Sequence, residues 1–313
     1  MVIDAHSHLA DPQLCERIGI TLPGNMLNPE ALLEEQCRSG VTMSVVSGPR
    51  ILEGGLKAGL DPATVMRSYH DHIASLVAAE PRHLSALGIA YPMGDKVVLT
   101  EMERAVKELG LRGFLVVPRY GDEFLDSPRA LEFFRLCEEL DAVVFVHSSD
   151  GCLASEYMKE NRLVELVGRP NEMTIVAVRL IMAGHMERFP GLKLLFARLG
   201  GAITMYAGRI ENGWQTRHSR SDGVPPWGPD NLEESFMNSL RRIHVDTQTF
   251  HPPAIRCAVD TLGHNRVLFG SDFPPVPRPL SLSIEDVRRS DISTQAADAV
   301  LGSNAQRLFG LTI

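Results

Sequence analysis

The sequence predicts an α/β protein, a single (β/α)8 TIM barrel spanning residues 1–313. Three observations carry that prediction. Short apolar runs recur at roughly forty-residue intervals, helical patterns fill the gaps, and metal-ligand side chains stand at the ends of the runs. A chain of 313 residues is also near the upper limit for one hydrophobic core, which suits a barrel.

The first run, Val2–His6, leads into Asp4-Ala-His6-Ser-His8. Alternate side chains of a strand share a face, so Asp4, His6 and His8 are expected to point the same way. Two imidazoles and a carboxylate suit zinc or another first-row divalent ion, with Asp4 either a ligand or the group that orients a ligand histidine. The remaining strands are expected at Val41–Ser47, Leu84–Tyr91, Gly113–Val117, Ala142–His147, Lys193–Ala197, Ile243–Asp246 and Val267–Gly270. Val143-Val-Phe-Val146 and Leu194-Leu-Phe-Ala197 are continuous apolar runs, as in parallel strands buried on both faces. Between strands, Phe133, Leu136, Cys137 and Leu140 fall at helical spacing, and Pro29, Pro62 and Pro253 stand where first-turn prolines are tolerated. Irregular insertions near 9–28, 148–171 and 213–231 are expected as active-site loops, lids or subunit contacts.

A barrel places its site at the C-terminal ends of its strands. There the sequence offers His6 and His8 after strand one, His147 after strand five and Asp272 after strand eight, a set able to hold one metal ion with a position open. Composition narrows the partners. No apolar run reaches about 18 residues, so no membrane span is expected. The N-terminus lacks the pattern of a signal peptide, and a cytoplasmic location follows as the expectation. Five scattered cysteines are expected as free thiols. A net charge of −8 argues against nucleic acid, while leaving room for an anionic small-molecule substrate held by local arginines.

An ordered set of segments adds to this reading: Asp4-Ala-His6-Ser-His8, Leu125-Asp-Ser-Pro-Arg129, Val144-Phe-Val-His147, Leu166-Val-Gly-Arg-Pro-Asn-Glu-Met-Thr174, Arg188-Phe-Pro-Gly-Leu-Lys-Leu194, Gly270-Ser-Asp272-Phe-Pro274 and Asn304-Ala-Gln-Arg-Leu-Phe309. Through them the chain resembles the amidohydrolase superfamily, in particular the branch of aminocarboxymuconate-semialdehyde decarboxylase and related aromatic-acid decarboxylases. The resemblance implies His6, His8, His147 and Asp272 as metal ligands, with zinc the commoner ion and manganese also used. It also matches Arg209 to a Gly-Arg that in some members reaches a neighbouring subunit's active site, which implies a homodimer.

Two departures stand out. Where such decarboxylases carry a histidine at the end of strand six, this chain has Arg198, which cannot act as a base near neutral pH but can clamp a carboxylate or stabilise an oxyanion. Leu32 takes the place of an arginine that binds a substrate carboxylate in the family. Arg50, Arg119 and Arg209 are candidate replacements for that anchor, and His251 is a further candidate for substrate contact. The expected function is a metal-dependent decarboxylase of a small aromatic or unsaturated acid, with Asp272 carrying the proton and Arg198 holding the substrate. A hydrolase of a lactone, ester or amide, or a hydratase of an unsaturated acid, would use similar parts.

Overall fold

The computed structural model describes residues 1–217 and 232–312. Its strands run β1 Ile3–His8, β2 Met43–Ser47, β3 Leu84–Ala86, β4 Gly88–Ile89, β5 Gly113–Val116, β6 Arg119–Tyr120, β7 Glu123–Phe124, β8 Val143–Val146, β9 Lys193–Phe196, β10 His244–Asp246 and β11 Val267–Leu268. β6 and β7 form a small hairpin outside the main sheets, and the others pair in parallel in the orders β1-β2-β3 and β4-β5-β8-β9-β10-β11.

Backbone hydrogen bonds join these two sheets into one barrel. Ala5 N–H donates to the Phe269 carbonyl at 2.8 Å, and His8 N–H to the Phe273 carbonyl at 2.9 Å, so the segment after β11 runs beside β1. Leu87 N–H donates to the Val46 carbonyl at 2.9 Å, which makes β3 and β4 two halves of one barrel strand. The eight strand positions expected from the sequence are therefore occupied, in order.

The bounds of all eight shift by one or two residues, and two of the differences have a visible reason. Leu84–Tyr91 is interrupted because His70, on the helix Pro62–Ala79, turns its ring into the strand and accepts from Ile89 N–H at 3.1 Å. Gly88 makes the space: a Cβ there would lie 2.5 Å from His70 Nε2. Val267–Gly270 ends as a regular strand at Leu268, since Phe269 N–H turns to the Val300 carbonyl and Gly270 N–H to Thr247 Oγ1.

Helices cover the outside and are capped as their sequences suggest. Pro29 and Pro62 open the helices Pro29–Ser39 and Pro62–Ala79 behind the capping side chains of Asn28 and Asp61. Phe133, Leu136 and Cys137 bury one face of the helix Leu131–Glu139. Phe114, Phe133, Phe145, Phe196 and Phe269 are fully buried, each stabilising the fold by about 1.5–3 kcal/mol. Among the described residues, no helix is long and apolar enough to cross a membrane. Most of the 213–231 insertion lies outside the described residues. The other two insertions are partly regular: 9–28 holds the helix Pro12–Ile18, capped by the Asp11 side chain, and the turn Gly24–Leu27, and 148–171 holds the turns Ser155–Tyr157 and Val164–Gly168.

Candidate metal centre

β1 does not keep the strict alternation assumed for it. Its register with β2 shifts between Asp4 and Ser7, which separates the Asp4 carboxylate from the two imidazoles. Asp4 instead accepts hydrogen bonds from Ser7 Oγ at 2.6 Å, Ser271 Oγ at 2.5 Å, Ser271 N–H at 3.0 Å and His6 N–H at 3.1 Å. It fastens β1 to the turn that carries Asp272, and bonds to neither ring.

His6, His8, His147 and Asp272 converge, with one potential ligand atom from each lying within 4.8 Å of all the others. All four are buried. His6 Nε2 and His8 Nε2 are 3.1 Å apart, and Asp272 Oδ1 is 3.0 Å from His8 Nε2 and 3.5 Å from His6 Nε2. The outer nitrogens of the three rings are all engaged. His6 Nδ1 meets Asp246 Oδ2 at 2.6 Å, His8 Nδ1 meets Ser47 Oγ at 3.2 Å, and His147 Nδ1 meets the Ser148 carbonyl at 2.9 Å. Acceptors at Nδ1 place the proton there and turn each Nε2 lone pair inward. His147 Nε2 is a buried nitrogen with no hydrogen-bond partner. Three converging nitrogen lone pairs and a carboxylate, one of them orphaned, fit a bound divalent cation.

The electrostatics agree with that arrangement. Burial and the neighbouring imidazoles push His147 well below its ordinary value. Burial opposes charge on His6 too, but Asp272 and Asp246 outweigh it and raise the ring's pKa. Burial alone would raise Asp272, yet the Arg198 guanidinium, then His6 and His8, hold it well below the usual carboxylate range.

Arg198 points into this cluster. Its Nη1 donates to Asp272 Oδ2 and to Gln248 Oε1, both at 2.9 Å, and its Nη2 donates to Ser148 Oγ at 3.2 Å. Only 11% of the side chain is exposed. The backbone after β9 is left-handed at both Arg198 and Leu199, with φ of 58° and 57°, an uncommon conformation outside glycine. Arg198 N–H is secured there by Asp246 Oδ1 at 2.8 Å. One carboxylate, Asp246, thus positions both the His6 ring and the Arg198 backbone. Gly270 leaves room for that pairing, since a Cβ at this position would lie 2.8 Å from both Asp246 Cβ and His6 Cβ.

The other candidates sit further out. Arg50 pairs with Asp150 and donates to the Thr21 carbonyl at 3.2 Å. Arg119 is tied to Glu172 at 3.1 Å and to the Gly121 carbonyl at 2.8 Å, and borders a cavity of about 490 Å3 with Tyr91, Tyr120 and Asp150. His251 is exposed at the start of the helix Pro252–Leu262. Arg209 is exposed on the helix Ile203–Gln215, on the outer layer of the barrel beside Tyr206 and Ile175.

Three residues that complete the centre, Asp246, Gln248 and Ser148, escape the sequence reading. Asp246 was visible in principle as a carboxylate closing an expected strand on the active rim. Gln248 and Ser148 carry no charge or spacing signal.

Comparison with known proteins fits this architecture. The chain is 28% identical over 295 residues to 2-amino-3-carboxymuconate-6-semialdehyde decarboxylase of Dictyostelium discoideum, covering 93% of this chain and 79% of that one. Its fold matches the crystal structure of 5-carboxyvanillate decarboxylase from Sphingomonas paucimobilis with a TM-score of 0.85, at 21% identity and 99% coverage of both chains. It also matches, with a TM-score of 0.83 at 18% identity, 5-carboxyvanillate decarboxylase from Novosphingobium aromaticivorans complexed with manganese and 4-hydroxy-3-methoxy-5-nitrobenzoic acid, covering 99% of this chain and 96% of that one. With the amidohydrolase pattern matched from residue 3 to residue 311, from the first barrel strand to the last helix, the chain belongs to the amidohydrolase family.

Proposed function

We propose that this protein is a divalent-metal-dependent carboxy-lyase that removes CO2 from a small aromatic or unsaturated carboxylic acid. The observation that carries this reading is Arg198, a guanidinium bonded to Asp272 at the edge of the histidine cluster, where a substrate carboxylate would meet it. Decarboxylases among the similar proteins support it. His6, His8, His147 and Asp272 would hold the ion. Three imidazoles favour zinc, and manganese, present in the Novosphingobium complex, is the alternative. When bound, such an ion polarises substrate oxygens and stabilises negative charge on them.

The other steps belong to the chain's own residues. An incoming carboxylate competes with Asp272 for the Arg198 donors, which can grip it through two parallel hydrogen bonds. Asp272 Oδ2 then loses the charge that most depresses its proton affinity. It takes up a proton from the substrate hydroxyl or solvent and delivers it to the ring or enol carbon that bears the carboxylate. The bond to the carboxylate breaks, its electron pair returns to the ring, and CO2 leaves. Gln248, bonded to both Arg198 and Asp272, keeps the two in place during the exchange.

Hydrolysis or hydration would draw on Asp272 as well, because Arg198 offers only donors and the outer nitrogens of the three imidazoles are committed to acceptors. The decarboxylase relative that shares 28% identity over 295 residues supports the carboxy-lyase reading over those two. The reading also includes a homodimer through the outer helices, where Met205, Tyr206 and Ile175 are exposed beside Arg209. The five free cysteines suit a reducing, cytoplasmic setting.

The deciding experiment incubates metal-loaded protein with hydroxybenzoates and unsaturated diacids, following CO2, and with lactones, following acid. CO2 from at least one carboxylate is expected, lost on chelation and restored by zinc or manganese. Acid release from lactones without CO2 from any carboxylate would overturn the reading.

A further inference from the structure

A second concentration of positive charge lies at the opposite end of the barrel. Lys193 begins β9, His244 begins β10 and Arg266 precedes β11, so these side chains surround the N-terminal strand ends. With Arg242 and Arg307 they line a cavity of about 340 Å3. Arg198 follows the other end of β9, five residues from Lys193, so about 16 Å of strand separates this cavity from the metal centre.

The lining holds four cationic side chains and no carboxylate. Two of the four are neutralised from outside it: Arg242 pairs with Glu234 at 2.9 Å and Lys193 with Asp141 at 2.6 Å. The bonds of the other two run to neutral groups among the described residues. Arg266 Nη1 donates to His244 Nε2 at 3.0 Å, and Arg307 Nη2 donates to Asn304 Oδ1 at 2.7 Å. Asn304 is itself fixed, with its amide donating to the His264 and Val267 carbonyls at 2.7 and 2.8 Å. His244 is fixed by the Leu194 carbonyl at 3.2 Å. Both arginines are therefore held in place with donors to spare, in a chain whose net charge is −8.

From this geometry we infer that the cavity between β9, β10, β11 and the helix Asn304–Phe309 binds a phosphate group, as free phosphate or as a phosphomonoester. Three separate elements supply guanidinium or ammonium donors to one concave site, the arrangement that raises local anion concentration. Of these, Arg266 and Arg307 have no carboxylate partner among the described residues. Burial, then Arg242 and Arg307, lower the proton affinity of Arg266. Burial, then Arg266, Arg307 and Lys193, push His244 down to about 3. An anion relieves that repulsion, and the cavity has room for the organic part of an ester.

Calorimetric titration of the metal-loaded protein with inorganic phosphate and with glycerol 3-phosphate, at constant ionic strength, tests the assignment. One saturable site is expected for at least one of them; the tighter of the two identifies free ion or ester as the ligand. Arg307→Gln, at an exposed position that should not disturb folding, is expected to weaken it at least tenfold, and Arg266→Lys to weaken it less than Arg266→Gln. Arg198→Gln, at the far end of the barrel, should leave it unchanged. Absence of saturable binding, binding that survives Arg307→Gln within twofold, or binding lost in Arg198→Gln would overturn the inference.

Discussion

Arg198 and Asp246 show how much of the centre rests on single side chains. If Arg198 grips the substrate carboxylate, Arg198→Ala should raise KM at least tenfold with kcat changed much less, measured on the best carboxylate of the panel. A fall in kcat with KM untouched would contradict that role. Asp246 makes a different prediction, because it touches His6 and not the ion site directly. Asp246→Asn should lower metal affinity by about 10–100-fold, read by competition with a chromogenic chelator, with the circular dichroism spectrum unchanged. At this scale the sequence was legible wherever chemistry and periodicity coincide. His6, His8, His147 and Asp272, which converge in the structure, were legible as a set because ligand-type side chains stood at strand ends. The common face expected for Asp4, His6 and His8 is lost because a bulge in β1 is set by tertiary pairing with β2 and Ser271, which no local pattern encodes, although Asp4 still stands behind His6 and Asp272 as a supporting group.

Among the elements, the junction of the helices Pro62–Ala79 and Lys96–Lys107 has the clearest energetic content. Glu101 is buried, 2% exposed, and accepts from His70 Nδ1 at 2.9 Å and Arg104 Nε at 2.8 Å, with Arg67 at 3.0 Å. Burial opposes its charge, but His70 and Arg104 outweigh it and bring its pKa down to about 2. A carboxyl depressed on folding stabilises the native state above its unfolded value near 4.5, and that contribution disappears as pH falls through about 2. Glu101→Gln should therefore destabilise the protein by about 3 kcal/mol at pH 7, with the gap from wild type closing between pH 4.5 and 2 in urea titrations. The same junction explains the broken strand. The strand signal at Leu84–Tyr91 was correct, but the His70 ring that interrupts it comes from a helix, and no pattern within the strand announces it.

For the whole molecule, strand count, strand order and the active rim followed from the alternation of apolar runs and helical patterns. The particular bonds that close the barrel did not, since they join residues at opposite ends of the chain, such as Ala5 N–H and the Phe269 carbonyl. A subunit contact on the outer surface is expected only through the resemblance, because an exposed methionine or tyrosine has no pattern of its own. Light scattering should give twice the chain mass, and Met205→Glu with Tyr206→Glu should halve it without unfolding the barrel. A wild-type monomer at micromolar concentration would count against the dimer.

Gly270 has a bearing on how such a chain can diverge. A side chain there would press on the Cβ atoms of both His6 and Asp246 and disturb their pairing. Substrate choice can drift through the insertions that follow the strands, but a lineage that fills position 270 surrenders its metal before it can try a new substrate. In a library of active variants this glycine should stay invariant beside freely changing loops, marking the boundary between the part of the barrel that evolution can retune and the part it can only keep or lose.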